Sequence, residues 1–299
     1  MTRILRIVGA PTSAGAYAPG QELAPAAFRK HGLVRRLELA GLTVHDDGDV
    51  EGYRWRPDPA QPKAMNLDAV NRAARGVASK VSAVLTDGHD VLVLGGDCTV
   101  ELGTVAGAVV GEQSVGLIYI DLDVDLNPPE AADGALDWTG VAHLLELEGV
   151  ESTLSRLGPR WPLLQPSDIL FLGADNISDC EAGAIKNRGL EVINLSEVKA
   201  NRGASVARAA KWAGRFERVL IHVDVDVLAF ADFPIAENTR RQAGLTLDEL
   251  SAILVDLVSL SNWRGLTVTE INPDHAPDEQ ETFGRLITML AECLSRQSL

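Results

Sequence analysis

Three aspartates follow an apolar stretch of the chain, and their spacing points directly to chemistry. Residues 115–120 are Val-Gly-Leu-Ile-Tyr-Ile, and Asp121, Asp123 and Asp125 come next at every second position. Side chains two apart on a strand share one face, so we expect the three carboxylates to lie together at its carboxyl end. Like charges so close are costly unless a cation lies among them, and carboxylates are suitable ligands for hard divalent metals. The pattern favours a metal site, with solvated acids at a polar strand end as the alternative.

A second apolar stretch ends in the same way. Residues 219–223 lead into Asp224 and Asp226, and His222 lies two positions before Asp224 on the same strand face. In open parallel sheets, binding sites form outside the carboxyl ends of the strands. Two strands that end alike therefore predict one shared metal site.

The composition excludes several classes of protein. The chain has 299 residues, 46% of them hydrophobic, and a formal net charge of −15 without a basic patch, so nucleic acid is not an expected partner. No run of about 20 apolar residues predicts a membrane span, and the first residues are interpreted as a strand rather than a signal peptide. The three scattered cysteines do not form a disulfide framework. We expect a cytoplasmic enzyme that binds a small molecule.

Apolar strands alternate with amphipathic helices along the whole chain. We predict strands at 4–9, 42–45, 91–94, 115–120, 169–172, 190–193, 219–223 and 266–269. We predict helices at 25–40, 67–85, 99–110, 138–148, 179–188, 247–258 and 278–295, and one more that ends near 212. The acidic residues 46–49 are interpreted as a loop. The alternation is typical of a parallel sheet covered by helices on both faces, so the predicted fold class is α/β, with about eight strands in one domain spanning 1–299.

Four short motifs end four of the predicted strands. They are Gly-Gly-Asp-Cys at 95–98, Asp-x-Asp-x-Asp at 121–125, Asp-x-Asp at 224–226 and Glu-Ile-Asn-Pro at 270–273. Together they resemble the arginase–agmatinase (ureohydrolase) family, which carries Gly-Gly-Asp-His, Asp-Ala-His-x-Asp, Asp-x-Asp and Glu-x-Asn-Pro in this order. The resemblance covers essentially the whole chain and implies a three-layer arginase-like fold, whose members usually form trimers or hexamers.

The resemblance also implies roles for individual residues. In the family, two manganese ions bridged by a hydroxide act on a guanidinium carbon. Four positions match the family's aspartate ligands: Asp121, Asp125, Asp224 and Asp226. Glu270 matches the glutamate that grips the substrate guanidinium, and Asn127 matches an asparagine near the substrate's amino-acid end.

Several positions depart from the family pattern. Cys98 and Asp123 stand where the family has its two histidine ligands. We predict that both contribute to the metal site, and if Cys98 binds, its soft sulfur would favour zinc or iron over manganese. The alternative for Cys98 is a small buried thiol beside the site. Asp133 replaces a residue of the family's substrate loop, and Asp137 replaces the histidine usually assigned to proton shuttling. These changes predict a poor arginase, and we place Asp137 among the catalytic candidates and Asp133 among the substrate-binding ones.

Two further side chains have more than one interpretation. His222 either orients a carboxylate ligand, replaces a lost imidazole as ligand or general base, or is a core histidine with one hydrogen bond. Arg240, beside Arg241, either binds a substrate carboxylate or belongs to a solvated surface pair. We take His222 as a catalytic candidate and Arg240 as a substrate-binding one.

The sequence as a whole predicts a metal-dependent hydrolase. Its expected cofactor is a divalent metal, foremost Mn²⁺, as one or two ions. Its expected reaction is hydrolysis of a non-peptide C–N bond in a guanidino or amidino small molecule, as in hydrolases that act on linear amidines. The alternative is an arginase-fold protein that has lost hydrolysis and acts in binding or assembly.

Overall fold

Eight parallel strands form one sheet at the centre of the protein. The computed structural model describes residues 3–111, 113–240 and 242–295. The strands lie in the order β2-β1-β3-β8-β7-β4-β5-β6. They are β1 Leu5–Gly9, β2 Val44–Asp49, β3 Asp90–Leu94, β4 Val115–Ile120, β5 Ile169–Ala174, β6 Glu191–Asn194, β7 Arg218–Asp224 and β8 Trp263–Thr269.

Helices cover both faces of this sheet, which confirms the predicted fold class. They are α1 Ala24–Lys30, α2 Leu33–Leu39, α3 Leu67–Thr86, α4 Val100–Ala108, α5 Gly140–Leu144, α6 Ser152–Ser155, α7 Asp179–Arg188, α8 Leu195–Ala200, α9 Arg202–Ala213, α10 Leu247–Val258 and α11 Glu279–Ser295. None of the helices in the described residues is long and apolar enough to cross a membrane.

The core lies in two layers because the buried strands are apolar on both faces. Leu92 and Leu94 of β3 pack in the layer that also buries side chains of α1, α2, α9, α10 and α11. Val91 and Val93 of the same strand point the other way, into the layer with α3, α4 and α5. Alternating side chains of one apolar strand thus contribute to both layers.

Four neighbouring strands at the middle of the sheet carry the four motifs. The order β3-β8-β7-β4 places strands from the first half of the chain at the outside of this group and strands from the second half inside it. Ile120 lies opposite Val223, and Val268 lies opposite both Val223 and Leu94. Because the strands are parallel and nearly in register, the residues that follow them meet at one edge of the sheet.

The acidic residues 46–49 are part of a strand, so their interpretation as a loop is wrong. Strand β2 extends to Asp49 and pairs with β1 at the sheet edge. Arg29 binds Asp46 at 2.7 Å and Asp49 at 2.6 Å, and Arg6 binds Asp47 at 2.7 Å. These arginines supply the positive charge that lets an acidic segment pair as an edge strand.

Some predicted helices are interrupted or shorter than expected. The helix predicted at 25–40 is two helices, α1 and α2, separated at Gly32, whose φ of 81° is left-handed. The helix that ends near 212 is likewise divided into α8 and α9 at Asn201. The helix predicted at 138–148 is reduced to α5, which follows a 3₁₀ turn over Asp137–Thr139.

Gly96 allows two loops of the site to touch. A Cβ atom at this position would lie 1.6 Å from the backbone oxygen of Thr12. The next residue, Asp97, is fully buried; its backbone N–H donates to that same Thr12 oxygen, and its carboxylate accepts from the backbone N–H of Gly15 at 3.0 Å. The loop after β1 and the loop after β3 are therefore fixed to each other.

We expect Gly96→Ala to lower the free energy of unfolding by at least about 2 kcal/mol, because the added methyl overlaps backbone that cannot give way. The measurement is urea unfolding followed by circular dichroism. Gly183→Ala is the matched control, since Gly183 lies in α7 with no atom within 4 Å of an added Cβ. It should be neutral or stabilising by up to about 1 kcal/mol. Equal stability of the two variants would contradict the close contact at Gly96.

Candidate active site

A narrow cleft opens where the four central strands end. Its empty volume is about 370 Å³. Its walls come from the loops after β1, β3, β4, β7 and β8. The residues that line it are Tyr17, Cys98, Asp123, Asp125, Asp137, Trp138, Asp224, Asp226, Asn238 and Glu270.

Three buried aspartates converge beside the cleft. Oxygen atoms of Asp121, Asp224 and Asp226 all lie within 4.8 Å of one another. Asp121 accepts the backbone N–H of Asp123 at 2.7 Å, and Asp224 accepts that of Asp226 at 2.7 Å. Each of these bonds occupies one carboxylate oxygen and leaves the other directed away from the turn. The Oδ2 atom of Asp121 is buried and has no hydrogen-bond partner among the described residues.

The electrostatics of this group fit a divalent cation. Burial, followed by the neighbouring carboxylates, raises the pKa of Asp121 and Asp224 well above the usual range. The pKa of Asp125 is raised in the same way, although the hydroxyl of Tyr119 donates to its carboxylate. Such buried carboxylates repel one another, and one of their oxygens has no hydrogen-bond partner in the described part of the chain. A hard or borderline metal ion stabilises a donor set of this kind. The residues therefore fit a metal site of the predicted kind.

Asp123 and Asp125 are held differently from the other aspartates. Asp125 has a left-handed backbone, with a φ of 49°, and its carboxylate points into the cleft beside Tyr119. Asp123 is half-buried, also lines the cleft, and accepts a hydrogen bond from the side-chain amide of Asn176. Both predicted ligands thus lie at the cleft, with Asp123 nearer to its solvent side.

Glu270 lies at the inner wall of the cleft. Its φ is 62°, a conformation uncommon for a residue with a side chain. One carboxylate oxygen accepts the backbone N–H of Cys98 at 2.9 Å, and the other accepts the side-chain amide of Gln21 at 3.0 Å. Burial, together with the charge of Asp97, raises the pKa of Glu270 to about 8.

Cys98 and His222 meet behind the aspartates. The Sγ atom of Cys98 lies 3.5 Å from Nε2 of His222 and 3.3 Å from Oδ2 of Asp224. The imidazole is completely buried and stacks on Tyr119, its neighbour on the adjacent strand, with 4.1 Å between ring centroids. Its other nitrogen, Nδ1, faces Oε2 of Glu101 at 3.3 Å. Of the interpretations left open for His222, the contacts favour a residue that belongs to the site.

The mouth of the cleft combines an acid with two aromatic rings. Asp137 is buried, and burial together with the charge of Glu270 raises its pKa well above the usual range. The rings of Tyr17 and Trp138 lie 5.8 Å apart, and each side chain remains about two-fifths exposed. The oxygen of Gly15 accepts from the backbone N–H of Asp137 at 3.1 Å, so the two loops that carry the rings are joined.

Three predicted substrate-binding residues lie outside the cleft lining. The side-chain amide of Asn127 donates to Glu181 at 3.0 Å and is directed away from the cleft. Asp133 is exposed at a left-handed position of its loop. Arg240 is exposed, and Arg241 lies outside the described residues.

Sequence reasoning missed five residues of the site. They are Tyr17, Gln21, Glu101, Trp138 and Asn238, the last of which donates to Asp226 at 3.4 Å. Only Glu101 carried a clear signal, because it is a charged residue in the otherwise apolar and fully buried helix α4. A buried carboxylate in such a helix needs a partner, and His222 is that partner.

Comparisons with known proteins concern the family and the fold of the chain. Residues 4–295 match the model of the Arginase family. Human arginase-1 is 28% identical over 299 residues, an alignment that covers 98% of this chain and 92% of the relative. The crystal structure of an arginase from Bacillus subtilis superposes with a TM-score of 0.88 at 23% identity and covers 98% of both chains. Proclavaminate amidino hydrolase from Streptomyces clavuligerus superposes with a TM-score of 0.73 at 20% identity, covering 99% of this chain and 93% of that one.

The raised pKa of Glu270 predicts how stability depends on pH. Its ordinary value is 4.5 and its value in the folded chain is about 8, so the folded state holds a proton that the unfolded state releases between these pH values. Metal-free protein should therefore lose stability as the pH rises from about 4.5 to about 8, with a fall in melting temperature of roughly 5 °C. A divalent cation should restore most of this loss at pH 8, because it binds the ionised carboxylates of the folded state only.

The measurement is differential scanning calorimetry of chelator-treated protein at several pH values, with and without Mn²⁺. Glu270→Gln should make the fall in melting temperature with pH smaller, because glutamine does not titrate, while the other buried carboxyls with raised pKa still do. A metal-free melting temperature that is equal or higher at pH 8 than at pH 5 would contradict the assignment.

Proposed function

The chain belongs to the arginase family, and on this premise we propose that it is a metal-dependent hydrolase of guanidino or amidino compounds. The reaction adds the oxygen of water to the amidino carbon and breaks the bond from that carbon to the substituted nitrogen. With a guanidino substrate the products are urea and an amine. The observation that carries the proposal is the convergence of Asp121, Asp224 and Asp226 beside Glu270 at one cleft.

Glu270 is suited to hold the cationic head of the substrate. A planar amidinium offers parallel N–H donors, which a carboxylate accepts in pairs. The bonds from Cys98 and Gln21 fix this carboxylate before substrate binds, so little reorganisation is needed. A bound cation also favours the ionised form of Glu270, whose pKa burial raises.

Asp137 is suited to carry a proton to the leaving nitrogen. It lies at the cleft mouth, its pKa is raised, and it stands where the family resemblance places a proton-shuttling histidine. A carboxyl group that keeps its proton near neutral pH is able to donate it when the C–N bond breaks. One carboxyl thus takes the role of the missing imidazole.

A divalent metal would be held by the aspartates that converge at the cleft, and Cys98 and Asp123 would take the remaining ligand positions. When bound, a divalent metal polarises the substrate and lowers the pKa of water for the attack. Manganese is the ion suggested by the family, as one or two ions, and zinc or iron are suggested by the thiol of Cys98.

The proposed substrate is not arginine. No lysine or arginine lines the cleft among the described residues, while six carboxylates do. Asn127 and Asp133 are directed elsewhere, so an α-carboxylate and its neighbouring amine would lose polar partners. The fold is shared by an amidino hydrolase named for a substrate other than arginine. By the family resemblance we propose a homo-oligomer, a trimer or hexamer, and the cytoplasm stays the proposed location.

We expect poor turnover of arginine, with a kcat/KM well below about 10⁴ M⁻¹s⁻¹, the lower end for ordinary enzymes. Urea release from a panel of guanidino compounds, with Mn²⁺, Zn²⁺ or Fe²⁺ added, is the measurement. Compounds without an α-carboxylate should react faster than arginine. Arginine as the best substrate would refute the substrate part of the proposal, and no hydrolysis of any compound by metal-loaded protein would favour the alternative, a binding or assembly protein.

We expect Asp137→Asn to lower kcat for the best substrate by about 10²- to 10³-fold, since proton transfer by a positioned group contributes this much. KM should change little, because Asp137 is not proposed to bind the amidinium. Asp133→Asn is the matched control, since Asp133 belongs to the same loop but is exposed outside the cleft. A normal rate for Asp137→Asn would remove it from the mechanism.

A further inference from the structure

Three buried side chains form a line that begins at Cys98 in the cleft wall and runs into the interior of the protein. Oε2 of Glu101 lies 3.3 Å from Nδ1 of His222, and Nε2 of His222 lies 3.5 Å from Sγ of Cys98. Each of the three residues is at most 2% exposed. Glu101 and Cys98 belong to the same helix–loop segment after β3, whereas His222 comes from β7. Nothing in the proposed hydrolysis uses Glu101.

The partners of His222 fix which of its nitrogens is free to bind a ligand. A carboxylate only accepts, so Nδ1 carries the proton and donates it to Glu101. The lone pair is then on Nε2, which faces Cys98 and lies 3.3 Å from the hydroxyl of Thr269. The stacked ring of Tyr119 prevents rotation of the imidazole. A histidine whose second nitrogen donates to a carboxylate is the common arrangement for a metal-binding imidazole.

The spacing of the donor atoms matches a tetrahedral ion. With bonds of about 2.3 Å to sulfur and about 2.05 Å to nitrogen, a tetrahedral zinc holds S and N about 3.6 Å apart. The observed separation of Sγ and Nε2 is 3.5 Å, and donor atoms of Cys98, Asp121 and His222 lie within 4.8 Å of one another. Asp121 also offers the buried Oδ2 atom that has no hydrogen-bond partner among the described residues.

We propose that Cys98, His222 and Asp121 hold one soft or borderline divalent cation, zinc or iron(II), and that Glu101 positions His222 for it. The inference rests on the proposed metal-dependent function and deepens it. The imidazole lost from the position of Cys98 is replaced by His222 of β7, the strand beyond β8 in the sheet. Three protein ligands leave a fourth position open, as in catalytic rather than structural zinc sites. Sulfur and imidazole together select zinc, cobalt or iron over manganese.

Cobalt titration of the full chain tests this ligand set directly, because a thiolate bound to Co²⁺ gives a near-ultraviolet charge-transfer band. We expect about one equivalent of Co²⁺ to produce the band in chelator-treated protein, and Zn²⁺ to remove it by competition more effectively than Mn²⁺. Cys98→Ser should abolish the band. Cys293→Ser is the matched control, since Cys293 is another buried cysteine, packed against Ser251 far from the aspartates, and the band should persist in it.

The role of Glu101 is tested by Glu101→Gln. Loss of the carboxylate partner of a ligating histidine typically lowers metal affinity about 10- to 100-fold. We expect that loss in Co²⁺ affinity, with an unchanged band at saturation because the thiolate still binds. Asp90→Asn is the matched control, since Asp90 is a buried acid at the amino end of β3, whereas the cleft lies at the carboxyl ends of the strands. The Co²⁺ affinity of this variant should equal that of the wild type. A merely structural Glu101 would lower the melting temperature of the metal-free protein and leave the affinity unchanged.

The possible results separate this inference from the proposed function. A band that survives Cys98→Ser, or Co²⁺ affinity unaffected in both Glu101→Gln and His222→Gln, overturns the inference. Urea release that depends on Mn²⁺ in those same variants would leave the proposed hydrolase intact. A wild-type protein that binds Co²⁺ without any thiolate band also overturns the inference, and this result does not require any variant to fold.

Discussion

Burial of several carboxylates at one place is the constraint on which the other features of the site depend. Asp121, Asp224 and Glu270 are buried at the ends of three neighbouring strands, and burial together with nearby carboxylates raises the pKa of each. The sheet can hold these carboxylates together only because its apolar core stabilises the folded state enough to offset their repulsion. Such a cluster is stable when protonated or when a cation lies within it. The proposed metal site is the second of these solutions, and it would put the same carboxylates to use in chemistry.

Much of this arrangement could be predicted from sequence because it depends on short-range periodicity. Aspartates at alternate positions after apolar strands predict both a shared face and a shared sheet edge, and the structure has that edge. The extension of strand β2 through Asp46 to Asp49 could not be predicted, since these residues pair only when Arg29 folds back on them from α1. The directions of Asn127 and Asp133 were equally beyond sequence reasoning. Glu181, a residue far along the chain, fixes Asn127, and a left-handed backbone turns Asp133 outward.

The surroundings of His222 bring a thiol, an imidazole and a carboxylate together in the interior of the protein. Cys98 stands where the related family has a histidine, and the imidazole of His222 reaches it from β7, which β8 separates from β3. The change requires an acid in α4, where Glu101 would otherwise be costly in an apolar layer. Cys98, His222 and Glu101 are therefore best understood as one unit, because His222 contacts both of the other side chains.

The half-exposed ring of Trp138 gives the protein an optical reporter. Its indole lies at the cleft mouth against Tyr17, in contact with water on one side and with the acid-lined cleft on the other. Indole fluorescence shifts to shorter wavelength when water is replaced by an apolar or tightly packed neighbour. A ligand that fills the cleft would cover this ring, so the part of the emission that Trp138 contributes, as one of five tryptophans, would follow occupancy even for compounds that are never turned over. The position of Trp138 at the cleft mouth would thus allow binding to be followed separately from catalysis.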